Sequence, residues 1–380
     1  MHRHAIYILL LTVAGLTCLG MVMLSSTSAF AQESHGDMYF FVKRQAVWLG
    51  VALVVATVTG AVDYRIWSRL WPLVMAATMI LLILCFVPPI GMRLNGSSRW
   101  VRLGTFNFQP SEMAKVAAIF FLAWWFSRNE AASGAFWKGF VIPLGVLGML
   151  VAPILLEVDM GTTALILTAG LVVMFLAGTA LKWLLLTMGG GLAGISLLVF
   201  HDAERRGRFL AFWEPEKYRL DDGLQQYQAL IAFGSGGTEG LGLGEGRQKM
   251  LYLPYAHTDF IFPMIGEELG LKFTLATVAG YLIVCVCGMQ VALNARDRFG
   301  MLLGFGAVAM ITVQAAVNIG VTTSLLPNKG MPLPFISFGG SGLVICAFLV
   351  GLLVSIHRHG HPFTPETPPA LERAYQHCRL

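Results

Sequence analysis

Long apolar runs separated by short polar segments dominate the 380-residue chain. Runs long enough for a helix to cross a bilayer, about 17 to 25 residues, fall near 5–24, 45–62, 70–88, 113–127, 139–156, 161–178, 183–200, 261–293, 302–325 and 337–356. This pattern predicts an all-α polytopic membrane protein of about ten transmembrane helices. The 261–293 run exceeds one crossing, so tilt, a kink or an end outside the hydrocarbon is expected there. Between the seventh and eighth runs, residues 201–258 form a large extracytoplasmic loop that is polar and Gly-rich, with seven basic and eight acidic residues. It also carries Trp213, Tyr218, Tyr227, Leu230, Ile231 and Phe233, which unstructured linkers seldom do. A folded outer cap over the bundle is therefore expected.

Composition agrees with the pattern. Hydrophobic residues make up 56% and charged residues 12% of the chain, about half the charge of a soluble domain. An ordinary cytosolic enzyme is excluded, and the net charge of +5 is too mild and dispersed to point to nucleic acid. The short inner loops and tails hold Arg3, Arg65, Arg69, Arg128, Lys138, Lys182, Arg296, Arg298, Arg358, Arg373 and Arg379. The short outer loops hold Lys43, Arg44, Arg93, Arg99, Arg102 and Lys329, which favours both termini on the cytoplasmic side. Ala29-Phe30-Ala31 before Gln32 resembles a signal-peptide cleavage site, but loss of the first helix would break the even span count, so that helix is read as retained. Residues 361–380 read as a short cytoplasmic tail behind a single transmembrane domain, 1–360.

Three polar clusters carry the candidate chemistry, and all fall in the outer half. The first runs Tyr252-Leu253-Pro254-Tyr255-Ala256-His257-Thr258-Asp259-Phe260 and leads to Glu267 and Glu268. Asp259, where a polar loop meets an apolar helix, fits a base with a raised pKa, and equally a helix N-cap. His257 could relay a proton or simply be a hydrogen-bonded loop histidine. The second cluster runs from Asn95 through Arg99, Trp100 and Arg102 to Pro110-Ser111-Glu112 and Lys115. Lys115, one turn below Glu112, reads either as half of an intrahelical ion pair with it or, with Arg102 and nearby amides, as part of a phosphate site. The third joins Asn318, Thr322 and Thr323 to the Pro- and Gly-rich stretch 326–342, whose irregular backbone must be buried in protein or line a cavity. No ligand spacing suggests a metal site.

Several stretches together resemble the SEDS (shape, elongation, division and sporulation) family of bacterial wall polymerases. They are Phe41-Val42-Lys43-Arg44-Gln45, Arg99 to Lys115, Tyr227-Gln228, Ile231 to Gly237, Gly240 to Gly246, Gln248-Lys249, His257 to Phe262, and Asn328 to Gly340, in order along residues 5–356. Ile265-Gly266-Glu267-Glu268 and Leu326 to Phe335 look more like division-type members than elongation-type ones. The resemblance implies a peptidoglycan glycosyltransferase of the bacterial cytoplasmic (inner) membrane. Such an enzyme would polymerise lipid II on the outer face, at the division site, with a class B penicillin-binding transpeptidase and other division proteins as partners.

By the same resemblance Asp259 is the catalytic residue and Glu112 and Lys115 are functional. Arg102, Arg99, Lys43, Arg44, Lys329 and His257 are the further candidates for binding substrate; a divalent cation could assist at the pyrophosphate. A lipid II flippase and an elongation-type polymerase are the alternatives. Three departures stand out: Glu157-Val158-Asp159 where the family often has Gln-Pro-Asp, Tyr255 where Glu is usual, and Gly342 where a second Ser is common.

Overall fold

A computed structural model describes residues 2–28, 37–88, 91–94, 97–103, 106–201, 203–214, 216–221, 223–250 and 252–360. The Ala29-Phe30-Ala31 motif and the 361–380 tail lie outside these. The main helices are α1 (His2–Ser28), α2 (Phe40–Ala61), α3 (Trp67–Leu84), α4 (Pro110–Arg128), α5 (Ile142–Leu156) and α6 (Met160–Leu176). They are followed by α7 (Leu181–His201), α8 (Ala203–Trp213), α9 (Leu224–Gly236), α10 (Ile261–Leu293), α11 (Arg298–Thr322) and α12 (Gly340–His359). Among the described residues, seven of the helical stretches are long and apolar enough to span a bilayer: those of α1, α2, α3, α5, α10, α11 and α12. The protein is a multi-pass helical membrane protein.

Burial orders the bundle. In its most apolar window α11 is 72% buried, whereas α2 and α3 are each 17% buried, so α11 is central and the other two present most of their surface outward. α4, α6, α10 and α12 all pack against α11, and the starts of these four helices gather at one end of the bundle. Local chemistry fixes several of those starts. Pro110 opens α4, where its missing N–H costs nothing. Asp159 caps α6 by accepting from the Thr162 N–H at 3.2 Å and the Thr162 hydroxyl at 2.9 Å.

Strand structure, which the apolar pattern did not predict, occupies the segment between α3 and α4. β1 (Gly91–Leu94), β2 (Ser97–Leu103) and β3 (Phe106–Phe108) form an antiparallel sheet in the order β1-β2-β3. Arg102 and Val101 alternate in β2 opposite Asn107 and Phe108, a period-2 signal too short to stand out beside spans of twenty residues.

The overlong 261–293 run is broken. Gly270 takes φ 76° and ψ −172° inside α10, a conformation glycine adopts without penalty. The carbonyls freed by the break do not go unpaired: Glu267 O accepts from Leu241 N at 2.9 Å and Glu268 O from Gly242 N at 3.0 Å. Leu271 N in turn donates to Gly237 O at 3.0 Å, so the segment 237–242 is stitched into the kink. A Cβ at Gly270 would press on the backbone of 238–240.

Candidate active site

Asp259 lies in the tight loop leading into α10. Tyr255, with φ 58°, turns its carbonyl inward to accept from Thr258 N at 3.1 Å and Phe260 N at 3.3 Å. Three successive carbonyls of the His-Thr-Asp motif are then held from outside the loop. His257 O accepts from Phe338 N at 3.0 Å, Thr258 O from Ser337 Oγ at 2.5 Å, and Asp259 O from Asn318 Nδ2 at 2.8 Å. The carboxylate itself rests on Gly330, where any Cβ would overlap Asp259 Oδ2. Burial pushes the Asp259 carboxyl up to about 6; nearby Asp159 adds to the rise and Arg99 opposes it. No capping bond from Asp259 to α10 forms, which removes the N-cap alternative.

The turn from α5 to α6 supplies the surroundings. Val158 has φ 62°, an outlier for a β-branched residue, and its carbonyl accepts from Arg99 Nη2 at 2.8 Å. Arg99 is thereby brought from β2 into the field of Asp159 and Asp259. Lys329 lies along the start of α6, its Cγ 3.1 Å and its Cε 3.2 Å from where a Cβ on Gly161 would sit. Glu157 is 1% exposed. Neither of its oxygens makes a hydrogen bond of ordinary geometry; the Cys85 thiol lies beside it. Burial raises the Glu157 carboxyl to about 7.

The other expected site residues fall into three groups. Glu112 and Lys115 are both buried and form the ion pair at 2.7 Å, while Lys115 Nζ also donates to Gln314 Oε1 at 2.8 Å. Glu112 Oε2 is left without a partner and faces Gly342. Lys43, Arg44 and Arg102 are exposed; Lys43 pairs with Asp37 at 2.9 Å and Arg44 stacks on the Phe40 ring. His257 is wedged against Phe41, ring centroids 4.4 Å apart, and near Phe338. Burial lowers its pKa to about 4, so it is neutral near pH 7.

Glu267 and Glu268, which the sequence places in costly apolar surroundings, are saturated. Lys249 Nζ pairs with Glu268 Oε1 at 2.7 Å and also donates to Ser26 Oγ at 2.7 Å and Gly244 O at 2.6 Å. Ser26 donates to both Glu268 oxygens, and Gly244 N adds a bond at 3.0 Å. Glu267 accepts from the backbone N–H groups of Arg247 and Gln248. This knot ties α1, the 244–249 segment and α10 together.

Sequence reasoning passed over Asp159, Gln314 and the partners of Asn318. Only the first left a local signal, an Asp before Met-Gly-Thr at a helix start. Among the described residues no group of three or more His, Cys, Asp or Glu side chains converges as a metal site.

The chain is similar to known proteins along most of its length. Residues 7–361 match the family described as "Cell cycle protein". The chain is 40% identical over 355 residues to "Probable peptidoglycan glycosyltransferase FtsW" of Geobacter metallireducens, covering 93% of this chain and 94% of that one. It is 36% identical over 355 residues to "Stage V sporulation protein E" of Bacillus subtilis, covering 93% and 95%. A solved structure described as "Structural coordination of polymerization and crosslinking by a peptidoglycan synthase complex" superposes with TM-score 0.77 at 27% identity, over 93% of this chain and 98% of that one. The Rod shape determining protein RodA of Thermus thermophilus shares the fold, with TM-score 0.68 at 24% identity, over 93% of this chain and 97% of that one.

Proposed function

Since the chain belongs to the FtsW/RodA/SpoVE family of cell cycle proteins, we propose that it polymerises lipid II into glycan strands, with Asp259 as the base. It is a multi-pass peptidoglycan glycosyltransferase of the bacterial inner membrane, and its role is in cell division. The observation that carries the assignment is the Asp259 carboxyl, desolvated, resting on Gly330 and unbonded to its own helix. In the reaction Asp259 takes the proton from the acceptor sugar hydroxyl of lipid II. The resulting oxygen forms the new bond to the anomeric carbon of the growing chain as the bond to the lipid pyrophosphate breaks, with inversion.

Arg99, whose charge acts on the base, and Lys329, next to the Gly330 on which the base rests, meet the departing pyrophosphate. Lys43 and Arg44 at the start of α2 and Arg102 on β2, all exposed, draw in the anionic substrate. Lys115, already engaged by Glu112 and Gln314, holds the floor of the site. This reading places the site on the outer membrane face, both termini in the cytoplasm, ten crossings in a single domain over 1–360 and the 201–258 segment above them as a cap. A class B penicillin-binding transpeptidase at the division site is the partner.

The test is to incubate the purified protein with labelled lipid II in detergent and, separately, in vesicles. Polymer in both supports the reading. Movement of lipid II across the vesicle membrane without polymer would make the protein a transporter, and neither outcome would leave it a scaffold.

A further inference from the structure

Two amide side chains stand one turn apart on α11, the most buried of the seven apolar spans. Gln314 Nε2 donates to Pro332 O at 2.8 Å. Asn318, 2% exposed, donates through Nδ2 to two carbonyls at once, Asp259 O at 2.8 Å and Met331 O at 2.6 Å. An amide nitrogen has two hydrogens to give, and both are committed here. The orientation is forced, since a flipped amide would set its oxygen against two carbonyl oxygens. Asn318 Oδ1 is consequently left buried without a partner.

The two carbonyls belong to opposite walls of the site. Asp259 O lies in the loop that carries the carboxylate; Met331 O follows Gly330, against which that carboxylate rests. We infer that Asn318 is the positioning residue of the catalytic base, one side-chain amide that sets both the Asp259 loop and the Gly330 wall. The inference deepens the function proposed above and rests on Asp259 being the base. Asn318 touches no reacting atom in this account and acts through Asp259 alone. Its substitution therefore changes the rate at which bound substrate reacts, and the environment of the carboxyl, more than it changes substrate binding.

Asn318→Ala removes both donors and leaves room for water beside the loop. Asn318→Asp keeps the volume but, ionised, donates to neither carbonyl. Turnover of lipid II is expected to fall about 10- to 100-fold in both, the scale of a small misplacement of a catalytic group, with KM within about threefold. The acidic limb of the pH–rate profile, near pH 6 in the unaltered protein, should move to lower pH in Asn318→Ala as the carboxyl becomes hydrated. A role in packing alone predicts that Asn318→Asp keeps turnover and that the limb stays in place. Should Asn318→Ala fail to insert, Asn318→Asp decides by itself, loss of turnover with KM retained supporting the inference and normal turnover overturning it. Asp259→Ala is run beside them: if it polymerises normally the function proposed above fails, whereas an inactive Asp259→Ala with unchanged Asn318 variants overturns only the present inference.

Discussion

Glu268 and Glu157 are equally buried, each 1% exposed, and their surroundings are opposite. Every lone pair that Glu268 offers is answered: Lys249 and Ser26 meet it with side chains and Gly244 with a backbone N–H. Glu157 has only the neighbouring Cys85 thiol, with no hydrogen bond of ordinary geometry, and the turn that carries it holds Val158 in a left-handed conformation. A buried charge that is paired and hydrogen-bonded fixes a conformation, whereas an unpaired one is costly and persists where the surroundings hold it in place. The first region rivets the 244–249 segment to α1 and α10. The second, with Asp259, Arg99 and the free oxygens of Glu112 and Asn318, holds unspent polarity at the proposed site.

The contrast breaks most visibly at Lys249. Lys249→Ala would leave Glu268 buried and unpaired and is expected to lower stability by about 3–5 kcal/mol, read as a large fall in the melting temperature in detergent. A loss too small to measure would mean that the knot is not what holds the cap.

Glu157→Gln should have the opposite sign. The folded carboxyl titrates at about 7 against 4.5 for an ordinary Glu. The folded state therefore binds more protons than the unfolded state between those values, and stability falls as pH rises through that window. Glu157→Gln is expected to stabilise by on the order of 3 kcal/mol at pH 8 and hardly at all at pH 4.5, as melting at the two pH values would show. Equal effects at both would contradict the unpaired, buried carboxyl.

Ser26→Ala takes away one hydroxyl from the saturated knot and should cost about 1.5 kcal/mol with no change in the pH–rate profile. Smallest of all, Lys43→Ala removes an exposed pair with Asp37 and should leave melting unchanged. A slower reaction at low lipid II concentration, and an unchanged one at saturation, would show its part in attracting substrate.

How much of this was legible in the sequence depends on how local each interaction is. Spans, the His-Thr-Asp loop and the Glu112–Lys115 pair lie within a few residues of one another and could be read from spacing. Even the break at Gly270 was foreshadowed by a run too long for one crossing. What escaped was long-range: Ser26 meets Glu268 across 242 residues and Asn318 meets Asp259 across 59, and no periodicity encodes either. The packing of Phe41 against the His257 ring is long-range in the same way. The strands at 91–108 were hidden by their brevity, and the strained Val158 by the family pattern, which draws the eye to the missing Gln and Pro rather than to the Asp that remains.

The central claim is that the Asp259 carboxylate removes the proton. Its most direct test is the initial rate of polymerisation of labelled lipid II by the purified protein, between pH 5 and pH 9, for the unaltered chain and for Asp259→Asn. The account predicts a rate that falls about tenfold per pH unit below about pH 6 in the unaltered protein, and no polymer at any pH from a folded Asp259→Asn. Polymer made by Asp259→Asn at the normal rate would contradict it.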